Sequence, residues 1–225
     1  MTAEQLVLVG GLWTDAPVWS EVVAGLAERG RQAVPVTLPV GAGATLSDQV
    51  DAVLAAVDAA PGRSVVVGHS AACTLAWLAA DARPDRVATV VLIGGFPQAD
   101  GAAYAEFFAI EDGFMPFPGW APFDGPDAAD LDEPARRAFE AAAVPVPEGV
   151  ARGVVRLTDE RRYGVPVVLI CPEFTPAQAR EWLDAGELPE LARAEHLDLV
   201  DIDSGHWPML TRPAELAGLL AATGR

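Results

Sequence analysis

Val65-Val66-Val67-Gly68-His69-Ser70-Ala71-Ala72 is the stretch that decides the reading of this chain. Residues 64–68 form the apolar run expected of a strand buried on both faces, and residues 71–81 follow as a helix ended by Arg83-Pro84. A serine in a Gly-x-Ser-x-small turn between such a strand and such a helix projects its hydroxyl at the C-terminal edge of the sheet. Gly68 and Ala72 carry no bulk because strand and helix approach closely there, although glycine is more usual at the second position. An oxyanion formed at Ser70 meets the Ala71 N–H and the positive end of the helix dipole. A plainer alternative makes Ser70 only the cap of that helix.

Outward from this turn, short β-branched runs alternate with helical stretches, the pattern of a parallel sheet covered on both faces. Strands are expected at residues 5–10, 33–38, 64–68, 87–93, 165–171 and 197–202, and helices at 17–28, 46–59, 71–81, 176–194 and 208–222. The fold class is α/β, with a mainly parallel six-stranded sheet. From about 97 to 162 the alternation fails in a segment rich in Pro, Gly and aromatic residues, such as Phe114-Met115-Pro116-Phe117-Pro118-Gly119-Trp120. So long a stretch is read as a cap inserted over the sheet, with a helix near 131–143, within one domain spanning 1–225.

The chain has 225 residues, 51% of them hydrophobic, and a formal net charge of -17. That balance argues against nucleic acid or anionic membrane as partner and leaves a small-molecule substrate. Oligomeric state is not legible. Two cysteines, Cys73 and Cys171, sit among apolar residues and supply neither a disulfide framework nor a zinc ligand set. The first residues lack a basic, apolar leader, and no apolar run approaches the about 20 residues of a bilayer span, so a cytoplasmic protein is expected. Gly41-Ala42-Gly43 lacks the third glycine and the setting of a dinucleotide loop. No cofactor and no metal are implied.

A serine hydroxyl needs a base, and the chain holds three histidines. His206, in Asp203-Ser204-Gly205-His206-Trp207-Pro208 after the last strand, emerges at the edge that carries Ser70. His196 lies at the opposite end of that strand, and His69 is expected to point away from the hydroxyl. The base in turn needs a carboxylate from a loop at the same edge. Glu173, two residues after the run Val167 to Cys171, is the first candidate and Asp100 the second; Asp201, expected within the last strand, and Asp203, expected to shape the turn, are nearer to His206 in sequence and remain as further alternatives.

These residues and their order resemble the α/β-hydrolase superfamily, especially its small cofactor-independent esterases and hydroxynitrile lyases, over nearly the whole chain. The resemblance implies a minimal form of that fold, without the two additional N-terminal strands of larger members. It also implies a second oxyanion donor after the first strand, which in Gly10-Gly11-Leu12-Trp13 falls on the N–H of Leu12. Gly10 stands where histidine is common, and Glu173 where aspartate is. The expected activity is cleavage of a carboxylic ester or thioester of a small apolar substrate through an acyl-enzyme on Ser70. Trp13, Trp207, Phe114 and Trp120 are expected to wall its pocket, although the cap aromatics, Phe107, Phe108, Phe117 and Phe123 included, serve equally to fasten the cap. Two alternatives keep the fold: a lyase or cyclase using the same serine and histidine, and a non-catalytic binder of small ligands.

Overall fold

Val65 to Val67 and Val90 to Ile93 are wholly buried, which only strands covered on both faces achieve. They belong to the two central strands of the sheet. The computed structural model describes residues 4–224. In chain order it contains β1 (Gln5–Val9), α1 (Ser20–Glu28), β2 (Ala33–Pro35), α2 (Leu46–Ala59), β3 (Ser64–His69), α3 (Ala72–Ala82), β4 (Val87–Ile93), β5 (Phe114–Met115), α4 (Glu133–Ala142), β6 (Val146–Pro147), α5 (Glu148–Ala151), β7 (Val167–Cys171), α6 (Pro176–Asp184), β8 (Leu197–Asp201), α7 (Pro208–Thr211) and α8 (Pro213–Ala222). The main sheet has the order β2-β1-β3-β4-β7-β8, every pairing parallel. All its strands therefore present their C-terminal ends to one edge, where ligand sites of such sheets form.

Several elements end earlier than the sequence pattern predicts, each for a local reason. β2 stops at Pro35, whose missing N–H suits an edge strand and no longer ladder. The helix expected from residue 17 begins with a 3-10 turn, Ala16–Trp19, before α1. The helix expected over 176–194 ends at Asp184, because Gly186 turns the chain at φ +77° and only a 3-10 turn at Leu191–Arg193 follows. Pro213 splits the last helix into α7 and α8 by forcing Arg212 out of helical conformation, at φ -134° and ψ 43°. Where helices begin cleanly the cap is visible: Thr45 and Asp48 close a capping box on α2, as do Thr175 and Gln178 on α6.

Residues 94–166, between β4 and β7, hold β5, β6, α4 and α5. β5 and β6 pair antiparallel as a two-stranded patch with Phe114 opposite Pro147, too short for a periodic signal in the sequence. The returning end of the segment is fixed by a buried ionic cluster. Asp81 on α3 accepts from Thr158 N–H and Asp159 N–H, and Arg162 bridges Asp81 and Glu190 at 3.1 Å each. Glu190 also accepts from Trp77 Nε1 at 2.9 Å. Removing the guanidinium leaves two carboxylates in an apolar setting without their partner, so Arg162→Met is expected to lower unfolding free energy by about 3–5 kcal/mol. Urea unfolding of the variant beside wild type measures it, and a loss under 1 kcal/mol, a surface-pair value, contradicts the prediction.

Among the described residues no helix is long and apolar enough to cross a membrane.

Candidate active site

Ser70 follows the last residue of β3 directly and adopts φ +55°, a left-handed conformation rare for a residue with a side chain. Backbone bonds hold it there: Ser70 N–H donates to Ile93 O at 2.8 Å, and Cys73 N–H donates to Ser70 O at 3.0 Å. Gly68 is required by contact, since a Cβ on it would lie 2.3 Å from Ala72 O. The residue capping α3 is Ala71, with no side-chain cap bond, so Ser70 does not serve as the helix cap. Its hydroxyl makes no hydrogen bond among the described residues. The N–H groups of Ala71 and Leu12 likewise donate to no acceptor among the described residues, and both residues line cavities that Ser70 also lines.

His206 sits on the loop between β8 and α7, and its Nδ1 lies 2.8 Å from Glu173 Oε1 on the loop after β7. Both side chains are mostly buried, 14% and 15% exposed, so the contact is shielded from competing water. Gly94 at the end of β4 makes room for it: at φ +58°, a Cβ there would lie 3.3 Å from both Glu173 Oε2 and His206 Nδ1. The other candidates lie elsewhere. Asp100 accepts from Leu157 N–H at 2.9 Å and fastens the inserted segment. Asp201 and Asp203 are exposed, and His196 precedes β8 at the far edge of the sheet.

The inserted segment helps to place the histidine, a role absent from the sequence pattern. His206 N–H donates to Asp127 O at 2.7 Å, and Gly205 N–H donates to Asp130 Oδ2 at 2.9 Å. Burial and the Glu173 charge hold the Asp127 carboxyl above the usual carboxylate range.

His69 departs from expectation. Its ring does not point away but packs on that of His206, with centroids 4.9 Å apart, and its Nε2 lies 2.7 Å from His206 O. A carbonyl only accepts, so the proton is assigned to Nε2, and the buried Nδ1 is left without a partner beside Gly11. Burial, and then the neighbouring His206 charge, pull the His69 pKa down to about 3. Because the folded value lies below the unfolded one, near 6.5, His69 contributes stability that is complete above that pH and is lost as pH falls towards 3. His69→Gln, which keeps an N–H donor, is expected to show a shallower acid loss of stability than wild type, by up to about 1.4 kcal/mol per pH unit in that window. His69→Leu, which leaves His206 O unpaired, is expected to lower kcat about tenfold or more where the glutamine variant retains it. Thermal melts from pH 7 to 4 and steady-state rates test both; equal rates in the two variants would remove His69 from the positioning of the base.

Two cavities reach Ser70. The smaller, about 220 Å3, has Leu12, Trp13, His206 and Trp207 in its walls. The larger, about 650 Å3, is lined by Phe96, Phe174 and Trp182 together with Gln98, Gln178 and Asp127. Trp13 and Trp207 thus stand where the sequence places them. Phe114 and Trp120 are in neither wall: Phe114 pairs in the β5–β6 patch, and Trp120 packs on Phe117, Phe139 and Trp207. Phe114 and Trp120 therefore do not wall the pocket, contrary to the expectation from sequence, because Phe114 is taken up by strand pairing and Trp120 by an aromatic cluster. Phe96, Phe174 and Trp182 carry no sequence signal for the pocket, because each lies singly after a strand or within a helix.

Neither cysteine offers a rival nucleophile: Cys73 is fully buried with its thiol pushed well up by burial, and burial pushes Cys171 up to about 12. Among the described residues no group of three or more His, Cys, Asp or Glu side chains is arranged to hold a metal ion.

Serine turn, carboxylate and histidine loop thus follow in that chain order along one edge of a parallel sheet, an arrangement proper to hydrolases. The chain belongs to the Alpha/beta hydrolase family, whose sequence profile matches residues 6–219. No curated protein matches the sequence. Among solved structures it is similar to an extracellular alpha/beta-hydrolase from a Paenibacillus species, described as sharing structural and functional homology with tobacco salicylic acid binding protein 2. That likeness has a TM-score of 0.80 at 18% identity and covers 99% of each chain. It is similar also to the Arabidopsis methylesterase MES16, with a TM-score of 0.73 at 16% identity and 97% of each chain covered. For the pyrethroid hydrolase PytH the TM-score is 0.70 at 19% identity, with 98% of this chain and 96% of that one covered. Identities this low carry the fold alone.

Proposed function

We propose that this protein is a serine hydrolase that cleaves a carboxylic ester or thioester of a small, largely apolar substrate through an acyl-enzyme. The observation that carries the reading is the 2.8 Å contact of His206 Nδ1 with Glu173 Oε1, on loops at the edge where Ser70 is held at φ +55°. The carboxylate fixes the tautomer that leaves His206 Nε2 free to accept a proton, and it stabilises the imidazolium that forms. Ser70 Oγ attacks the acyl carbon as His206 Nε2 takes its proton, and the carbonyl oxygen gains negative charge between the N–H groups of Leu12 and Ala71. Collapse breaks the bond to the leaving oxygen or sulfur, which leaves with the proton from His206. Water then enters, gives its proton to His206 and attacks the acyl carbon, and the acid departs as Ser70 regains its proton. Ser70 Oγ and His206 are not hydrogen-bonded to one another here, which fits a free enzyme whose catalytic contact tightens around substrate. A cytoplasmic location belongs to the same proposal.

Purified enzyme given p-nitrophenyl acetate and butyrate, and separately a fluorophosphonate followed by peptide mapping, tests the reading. Turnover together with label on Ser70 is the expected result. Label on another residue, or none with no turnover, overturns it and leaves the lyase, cyclase or binding alternatives.

A further inference from the structure

Ser70 and Phe107 are the two residues common to the walls of the 220 Å3 and 650 Å3 cavities. Phe107 is 53% exposed, more than any other large apolar side chain among the described residues. It sits on the irregular stretch after β4 and, like the nucleophile, borders both spaces. A substrate whose acyl carbon reaches Ser70 therefore extends one limb to each side of that ring.

The limbs are not equivalent. Of the two cavities only the smaller has His206 in its wall. The leaving oxygen must receive its proton from His206, so the alcohol limb lies in the smaller cavity and the acyl limb in the larger. Trp13, Phe108, Phe123 and Trp207 wall the smaller one, with Trp13 Nε1 already donating to Met115 O at 3.1 Å, so the rings there offer faces and edges for an apolar ring. The larger cavity presents Gln98, Gln178, Asp127 and Glu187 beside its aromatic residues, and no Lys or Arg is in its wall. The carboxylates of Asp127 and Glu187 supply acceptors there, and a carboxylate on the ligand would lose its water without gaining a cation.

We propose that the preferred substrate is an ester of a compact, ring-bearing alcohol with an acyl limb that carries hydrogen-bond donors and no negative charge, and that Phe107 is the partition that sorts the two limbs. This rests on the serine-hydrolase reading given above. The acceptors of the larger cavity hold the donor groups of the acid, the aromatic walls of the smaller one hold the alcohol's ring, and selectivity comes from the mismatch when the limbs are exchanged.

The test uses two isomeric esters, benzyl 3-hydroxybutanoate and 2-hydroxypropyl phenylacetate, in which ring and hydroxyl exchange sides, with benzyl hydrogen succinate as the anionic counterpart. Wild type is expected to show a kcat/KM for the first about tenfold or more above that for either of the others. In Phe107→Ala the ratio between the two isomers should fall towards one, a comparison within one preparation that does not depend on how much of the variant folds. Equal or reversed preference in wild type, or a ratio unchanged in Phe107→Ala, overturns the proposal. If p-nitrophenyl acetate is hydrolysed and Ser70 labelled while the isomers are not distinguished, the hydrolase reading stands and this one falls. If no ester is turned over and Ser70 takes no label, both fall together.

Discussion

Ser70→Ala is expected to reduce kcat for p-nitrophenyl acetate by up to roughly a million-fold, leaving only what the oxyanion donors and binding supply, at unchanged thermal stability. The rate term follows from removing the atom that forms the bond to the acyl carbon, and neither thiol replaces it, since Cys73 and Cys171 are buried with raised pKa values. The stability term follows from the bonds around the turn. Residue 70 is held through its N–H to Ile93 O and its carbonyl to Cys73 N–H, neither of which uses the side chain. Alanine meets the same steric resistance at φ +55° as serine, and no hydrogen bond of the hydroxyl is lost. A variant that folds like wild type and is inert isolates the nucleophile. Steady-state rates of both proteins on that ester decide it; turnover by the variant within about a hundredfold of wild type, reproduced in a second preparation, would remove Ser70 from that role.

The parts of this fold that were legible are those whose determinants are local. β4 is found at its observed bounds because seven residues of which six are apolar, with only Thr89 between them, stand between a proline turn and a Gly-Gly pair. α2 is found at its bounds because Thr45 and Pro61 punctuate it. Glu173 is 33 residues from His206, yet their meeting is legible because parallel strands must deliver successive loops to one edge, and β7 and β8 are neighbours in the sheet. What stayed hidden depends on side-chain direction or on irregular chain. His69 is the last residue of β3, one beyond the apolar run, and its ring packs on His206 with Nε2 on His206 O, a direction that the run itself does not encode. Asp127 and Asp130 grip the histidine loop from a segment without periodicity, and no spacing rule links them to Gly205 and His206. The pocket suffers from the same limit: a run of aromatics says that rings cluster, and only packing decides that Trp120 joins the cluster while Phe107 stands at the nucleophile.

Glu173→Gln is the second large effect, about 10⁴-fold in kcat, with Asp100→Asn leaving the rate near that of wild type. Glutamine is close to isosteric and keeps the loop after β7 in place, but its amide can offer an N–H to His206 Nδ1 where the carboxylate only accepts. The imidazole is then held with its proton on Nε2, the wrong tautomer for receiving one from Ser70, and the imidazolium formed in the reaction loses the charge facing it. Asp100 is engaged differently: its Oδ1 accepts from Leu157 N–H at 2.9 Å, so its amide variant is expected to shift stability by about 1 kcal/mol and not to touch the chemistry. Steady-state rates of both variants on the same ester, beside their urea midpoints, separate the two roles. Should Glu173→Gln retain a tenth of the activity or more, the next carboxylate to test is that of Asp127, the residue whose backbone carbonyl accepts from His206 N–H. The double variant with Asp127→Asn then decides whether His206 draws its support from the inserted segment instead of from the sheet.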